Sequence, residues 1–231
     1  MDELVPVFED SLFGNSIADV GIEYAELGID SILSDGVLKD IPIVGTIVGV
    51  GKLAHNVHDR NLLRQTLTFI NEFNKGLVSH EKKEKHRKKL QENPKKLEEE
   101  LGRVLILLDR NIDTIKSKFE ANFYAAYVEE EIKWDEFCEL CDITDRLFIA
   151  DIANLKKAYE NRGVKGSTFL SYKHDRLNSV GLLENDNRIS GGLVFTDPED
   201  DDEQLYMKLT TIGELFCKFA FDIVVEQNLK D

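Results

Sequence analysis

Over the first 160 residues apolar side chains return at steps of three and four. That spacing leaves packed α-helices as the architecture such a chain can adopt. Leu97, Leu101, Val104, Leu105, Leu108, Ile112 and Ile115 follow one 3.6-residue period, and Phe119, Phe123, Tyr124 and Tyr127 carry it on. Upstream, Leu63, Leu67, Ile70 and Phe73 form a second stripe, closed by the stop signal Asn74-Lys75-Gly76. Ile17 to Leu33 reads as an amphipathic helix weakened by Gly21 and Gly28. Trp134-Asp135 opens a helix running on to Glu160, with Phe137, Leu140, Cys141, Phe148 and Ile152 on its inward side.

Beyond Asn161-Arg162-Gly163 the pattern changes. Tyr172 to Ser179 fits a short helix, with Gly181 just past its C-cap. Leu182-Leu183, Leu193 to Phe195 and Leu205 to Leu209 are strand-like and separated by polar turns. Thr211 and Glu214 read as a capping box opening a last helix, with Ile212, Leu215, Phe216, Phe219, Ala220, Ile223 and Val224 as its apolar stripe.

The stretch Ile41 to Arg60, IPIVGTIVGVGKLAHNVHDR, combines features of a phosphate loop, a membrane segment and a packing face. A phosphate-binding loop requires Gly, four residues, then Gly-Lys-Ser/Thr. Here Thr46 occupies the first glycine position and Leu53 the hydroxyl position, so nucleotide binding is set aside. The uncharged run from Ile41 to Gly51 is too short to cross a bilayer, which takes about 20 residues. Pro42 suits the first helical turn, with Asp40 as N-cap. Gly45 and Gly49 lie one turn apart with Gly51 nearby, giving a face without side chains. That face suits close helix packing, in the core, against a partner or in lipid. A buried core helix is the expectation.

The net charge of −15 opposes general nucleic-acid binding, but it is unevenly spread. Between Glu81 and Lys96 eight Lys/Arg stand against three Glu, a local balance of +5. Lys82, Lys83, Lys85, Arg87, Lys88 and Lys89 therefore form a candidate contact segment for something anionic, or a solvated helix. A basic stretch close to anionic lipid adds about 1 kcal/mol per Lys or Arg.

No catalytic constellation emerges, and the expectation is a protein that is not an enzyme. Cys138 and Cys141 form a Cys-x-x-Cys pair without a second such pair, so core cysteines are expected and neither metal nor cofactor. His55 and His58 beside Asp59 lack a third fixed ligand. No Gly-x-Ser-x-Gly occurs, and the carboxylates at Glu98 to Glu100 and Glu129 to Glu131 read as solvated faces. Three cysteines and an N-terminus without a signal-peptide pattern point to the cytoplasm, with peripheral attachment at the inner membrane face as the variant.

The order of helix, helix, Ser179-Val-Gly-Leu-Leu-Glu184, hairpin and Tyr206-Met-Lys-Leu-Thr-Thr-Ile-Gly-Glu-Leu-Phe216 resembles the winged-helix superfamily over about residues 134–225. The resemblance implies either a DNA-binding regulator or a protein-docking module. For DNA, Lys173, His174, Arg176 and Asn178 are the candidate contacts. The wing tip, Asp197 to Glu203 with six acids in seven residues, would repel phosphates. The N-terminal part resembles uncharacterised bacterial proteins sharing an Asp-Ile-Pro-Ile-Val-Gly-Thr helix, here Asp40 to Thr46.

The resulting expectation is a mainly α protein in two parts. Residues 1–133 form a helical bundle with the glycine-faced helix and the basic segment. Residues 134–231 form a winged-helix-like α+β module. The expected function is a non-enzymatic bacterial interaction or effector protein for a protein partner, in a defence or stress setting. An anionic membrane surface, a nucleic acid and a second copy of the chain are the other partners considered.

Overall fold

The computed structural model describes residues 4–14, 41–49, 57–165, 172–185 and 205–222. These are mainly helical, with one small antiparallel sheet towards the C-terminus. The chain divides into two compact units, Met1–Cys141 and Asp142–Asp231. The expected helix at 17–33, the residues Asp40, Gly51 and His55, the strand at 193–195 and the acidic run 197–203 lie outside the described residues.

The first unit is built from α1 (Leu4–Phe13), α2 (Pro42–Gly49), α3 (Val57–Phe73), α4 (His80–Gln91), α5 (Pro94–Arg110), α6 (Thr114–Val128) and the start of α7 (Trp134–Arg146). Every residue of α6 from Phe119 to Ala126 is buried. A helix enclosed on all sides has no polar face to keep, which is why aromatic and small residues encircle it. Its main neighbour is α3, whose Leu63, Leu67, Ile70 and Phe73 are all buried as their spacing predicts. Phe69 and Phe73 set their rings 5.9 and 5.6 Å from that of Tyr124.

The long stripe from Leu97 to Tyr127 is not one helix. The chain leaves α5 at Asn111, whose backbone is extended (φ −73°, ψ 137°). The Asn111 side-chain amide turns inward and donates to Ser117 Oγ (3.1 Å) and Glu120 Oε2 (2.7 Å), while the Asn111 and Ile112 carbonyls accept from Asn61 Nδ2 (2.6 Å) and Gln65 Nε2 (2.9 Å) in place of helical partners. Ile112, expected on the apolar stripe, is left 77% exposed. Between α4 and α5 the proline does what its position suggests. Pro94 opens α5, and Asn93 caps it by accepting from the Lys96 amide at 3.1 Å.

The second unit holds the end of α7, then α8 (Ile152–Glu160), β1 (Val164–Lys165), α9 (Tyr172–Ser179), β2 (Leu183–Asn185), β3 (Leu205–Leu209) and α10 (Thr211–Cys217). The sheet order is β1-β3-β2, both pairs antiparallel, with Leu183 opposite Leu209 and Asn185 opposite Met207. Val164, Leu183, Met207 and Leu209 are buried. The helix expected from Trp134 to Glu160 breaks after Arg146. Phe148 is extended, and Ile149–Asp151 forms one 3-10 turn before α8 begins.

Two helix ends in this unit follow from sequence. Gly181 adopts φ +82°, its N–H reaches Asn178 O, and the Leu182 N–H reaches Leu177 O. This is a Schellman ending, which needs a left-handed residue after the C-cap. At the start of α10 the cap is Thr210 rather than Thr211. Its extended backbone lets Oγ1 accept from the Gly213 amide at 2.9 Å while donating to Gly181 O at 2.6 Å.

Candidate functional site

The apolar helix α2 turns its aliphatic face inward. Ile41, Ile43, Val44 and Ile47 are buried, α2 packs on α1 and α3, and the Ile43 amide donates to the buried Ser11 Oγ at 3.0 Å. Pro42 and Gly45 are on the exposed side, Gly49 ends the helix, and Gly51 lies outside the described residues. The described part of the stretch is thus held in the unit by its branched side chains, with Gly45 facing away from the packing. No helix among the described residues is long and apolar enough to cross a membrane.

The basic segment folds into α4 and spends much of its charge internally. Arg87 donates from Nε to Glu9 (2.5 Å) and from Nη2 to Asp10 (2.7 Å), tying α4 to α1. Lys83 is half-buried, bonds Asn74 Oδ1 and lies over the Phe73 ring, and burial lowers its pKa. Lys82 and Lys85 both pair with Glu130. Only Lys88 and Lys89 of the six candidates are fully turned to solvent without a described partner, and Glu81 and Glu92 are exposed on the same helix and its C-cap. The +5 run of the sequence becomes a stitch between elements, not an unbroken cationic patch.

Of the carboxylates expected to be solvated, one is buried. Glu100 is 2% exposed and accepts from Tyr124 OH (2.8 Å) and Tyr127 OH (3.1 Å), with His86 Nε2 at 2.5 Å from its Oε1. Phe13, Phe73, Trp134 and Phe137 surround this group. Burial, then the Glu100 charge, pushes both tyrosine hydroxyls above their ordinary range, so they stay protonated donors at neutral pH. The cluster is closed and mutually satisfied. Glu129 accepts from the Ser79 amide at the start of α4, and Glu130 holds its two lysines.

The four polar residues of α9 singled out for nucleic acid are also engaged. Arg176 donates from Nε to Asp151 Oδ2 (2.8 Å) and from Nη2 to Oδ1 (2.6 Å), where Asp151 is 1% exposed. The hydrogen bond to Asp151 raises the Arg176 pKa further, so the guanidinium is charged throughout. Lys173 donates to Ala150 O (3.1 Å), Asn178 to Leu183 O (3.1 Å), and His174 is buried. Together they tie α9 to the turn before α8 and to β2.

Large apolar side chains also reach solvent here. The break after α7 leaves Phe148, expected to face inward, 55% exposed, with Ile149 at 39% and Tyr172 at 63%. The Arg176 guanidinium lies over two of them, 4.3 Å from the Phe148 ring centre and 4.8 Å from that of Tyr172. Sequence reasoning missed Phe148 and Ile149 because a period-3.6 reading carried one helix through the break. The clue available was Asp151, an N-cap type of residue just before Ile152.

Elsewhere His58 bridges Asp59 (3.3 Å) and Asp109 (3.0 Å) at the surface, and the bond to Asp59, with the charge of Asp109, raises its pKa. Cys138 is half-buried and Cys141 and Cys217 are buried, none of them in a disulfide. Among the described residues no three His, Cys, Asp or Glu side chains are grouped to hold a metal ion. Set against protein-family models, curated proteins and solved structures, the chain has no match.

Proposed function

We propose that this is a non-enzymatic interaction protein that recognises a protein partner through the second unit. The observation that carries the reading is the exposed Phe148, Ile149 and Tyr172 around a fixed Arg176. Aromatic side chains and arginine are the residues that dominate binding energy at protein interfaces, and a rigid arginine loses little freedom on binding. A soluble surface rarely gathers large apolar groups without a use for them. The closed Glu100 cluster fits a structural role better than a catalytic one, since its donors and acceptors already satisfy each other.

The order of helix, helix, strand, helix, strand, strand, helix in this unit suits a winged-helix-like docking module. The DNA-regulator reading uses the same helix but asks more of it. Asn178 would have to abandon Leu183 O to reach a base edge, and Arg176 has only the edge that Asp151 does not hold to offer. A membrane-engaging form would rest on Lys88 and Lys89, about 2 kcal/mol of attraction together.

The test is photo-crosslinking in cells with p-benzoylphenylalanine in place of Ile149. We expect a discrete protein adduct that disappears when Phe148→Asp is added. Adducts no different from those formed with the analogue at exposed Glu98 would overturn the reading.

A further inference from the structure

We infer that Arg176 is the anchor for an aspartate or glutamate side chain of the partner, flanked by apolar residues of the same partner segment. The inference rests on the interface reading above and adds the chemistry of what docks.

A guanidinium is a planar group with two edges that can each grip a carboxylate: the side edge, Nε with one Nη, and the end edge, one N–H from each Nη. In this unit the side edge is spent on Asp151. No described residue accepts from the end edge, and the side chain is 30% exposed. The Phe148 and Tyr172 rings lie against the same group, their centres 4.3 and 4.8 Å from it. A carboxylate can accept from the end edge while a neighbouring apolar side chain meets the exposed rings and Ile149.

Charge is balanced at this place, and the selection comes from the free edge. Asp151 neutralises Arg176, and the Lys173 ammonium, which lies against Ala150 O beside the same turn, is offset by the exposed Asp175 of the same helix. Arg146 and Asp145, both exposed at the end of α7, offset each other. Asp151, Phe148 and Tyr172 also fix the arginine in advance, so little freedom remains to be lost on binding. That is what distinguishes it from Lys88 or Lys89 on α4.

The experiment is an NMR titration of the full chain with two capped peptides, acetyl-Leu-Asp-Leu-amide and acetyl-Leu-Asn-Leu-amide. The expected result is saturable shifts of the Arg176 side chain and the Phe148 and Tyr172 rings, with the Asn peptide about tenfold weaker because a charge-assisted pair is lost. Arg176→Lys should weaken the Asp peptide by a similar factor. If that variant unfolds, Tyr172→Ala, which leaves the Asp151 pair in place, should weaken both peptides while keeping the preference for Asp. Equal binding of the two peptides, or no shift from either, overturns the inference. If the Ile149 crosslink still forms in that case, only the carboxylate chemistry fails and the protein-interface reading stands.

Discussion

Gly102 and Gly213 show how opposite two buried glycines can be. A Cβ built on Gly213 would stand 2.1 Å from Leu182 O, a backbone atom already bonded to the Thr210 amide. Neither chain segment can yield without opening the start of α10, so Gly213→Ala should destabilise the second unit by roughly 2 kcal/mol or more. A Cβ on Gly102 meets nothing closer than 3.7 Å. Gly102→Ala should stabilise α5 by about 0.8–1 kcal/mol through helix propensity. Urea unfolding of the two variants checks both signs, and a gain at Gly213 or a loss at Gly102 contradicts the packing described. Glu130 makes a residue-scale case for pH. It sits at φ 65° after α6, and hydrogen bonds from Lys82 and Lys85 hold its pKa down to about 2 from 4.5. A carboxylate depressed on folding stabilises above its ordinary value and loses that contribution as pH falls through the folded one. The advantage of wild type over Glu130→Gln should therefore be present at neutral pH and vanish on acidification towards about 2. An advantage that grows on acidification would show that the lysines do not act this way.

At the scale of elements, the buried group around Glu100 fixes how α4, α5 and α6 meet. Tyr124→Phe removes one donor and leaves Glu100 with fewer partners in a dry site, so it should cost about 1–3 kcal/mol by urea unfolding. An unchanged midpoint would mean that the hydroxyl bond is not formed. The helices themselves were largely legible. Periodicity located α3, α5, α6, α9 and α10, and Pro94, Gly76 and Gly181 marked ends where their backbone preferences require. Breaks were less visible. At Asn111 and Phe148 the apolar spacing continues across a point where the helix stops, because side-chain bonds from Asn61 and Gln65 to the Asn111 and Ile112 carbonyls, and a 3-10 turn at Ile149–Asp151, replace the lost ladder. The cap on α10 fell one residue early for a similar reason. Thr210 and Thr211 are equivalent in sequence, and only the nearby Gly181 carbonyl chooses between them.

For the whole molecule, most of the cations that charge and motif put forward as contact residues are engaged within the fold. Arg87 finds Glu9 across 78 positions, Lys82 finds Glu130 across 48, and Arg176 finds Asp151 across 25. None of these pairings has a local signature, so cations that look available along the chain are consumed when it folds. The apolar groups Phe148, Ile149 and Tyr172 are left outside and form the proposed interface. Duplex retardation at two salt concentrations, run beside melting curves for wild type and Lys173→Glu/Arg176→Glu, tests this most directly. The account predicts no salt-dependent duplex binding by wild type and a lowered melting temperature for the variant, because Asp151 would lose its buried pair. Wild-type binding that weakens with salt, and is lost in a variant that melts like wild type, would contradict it and make α9 a nucleic-acid contact.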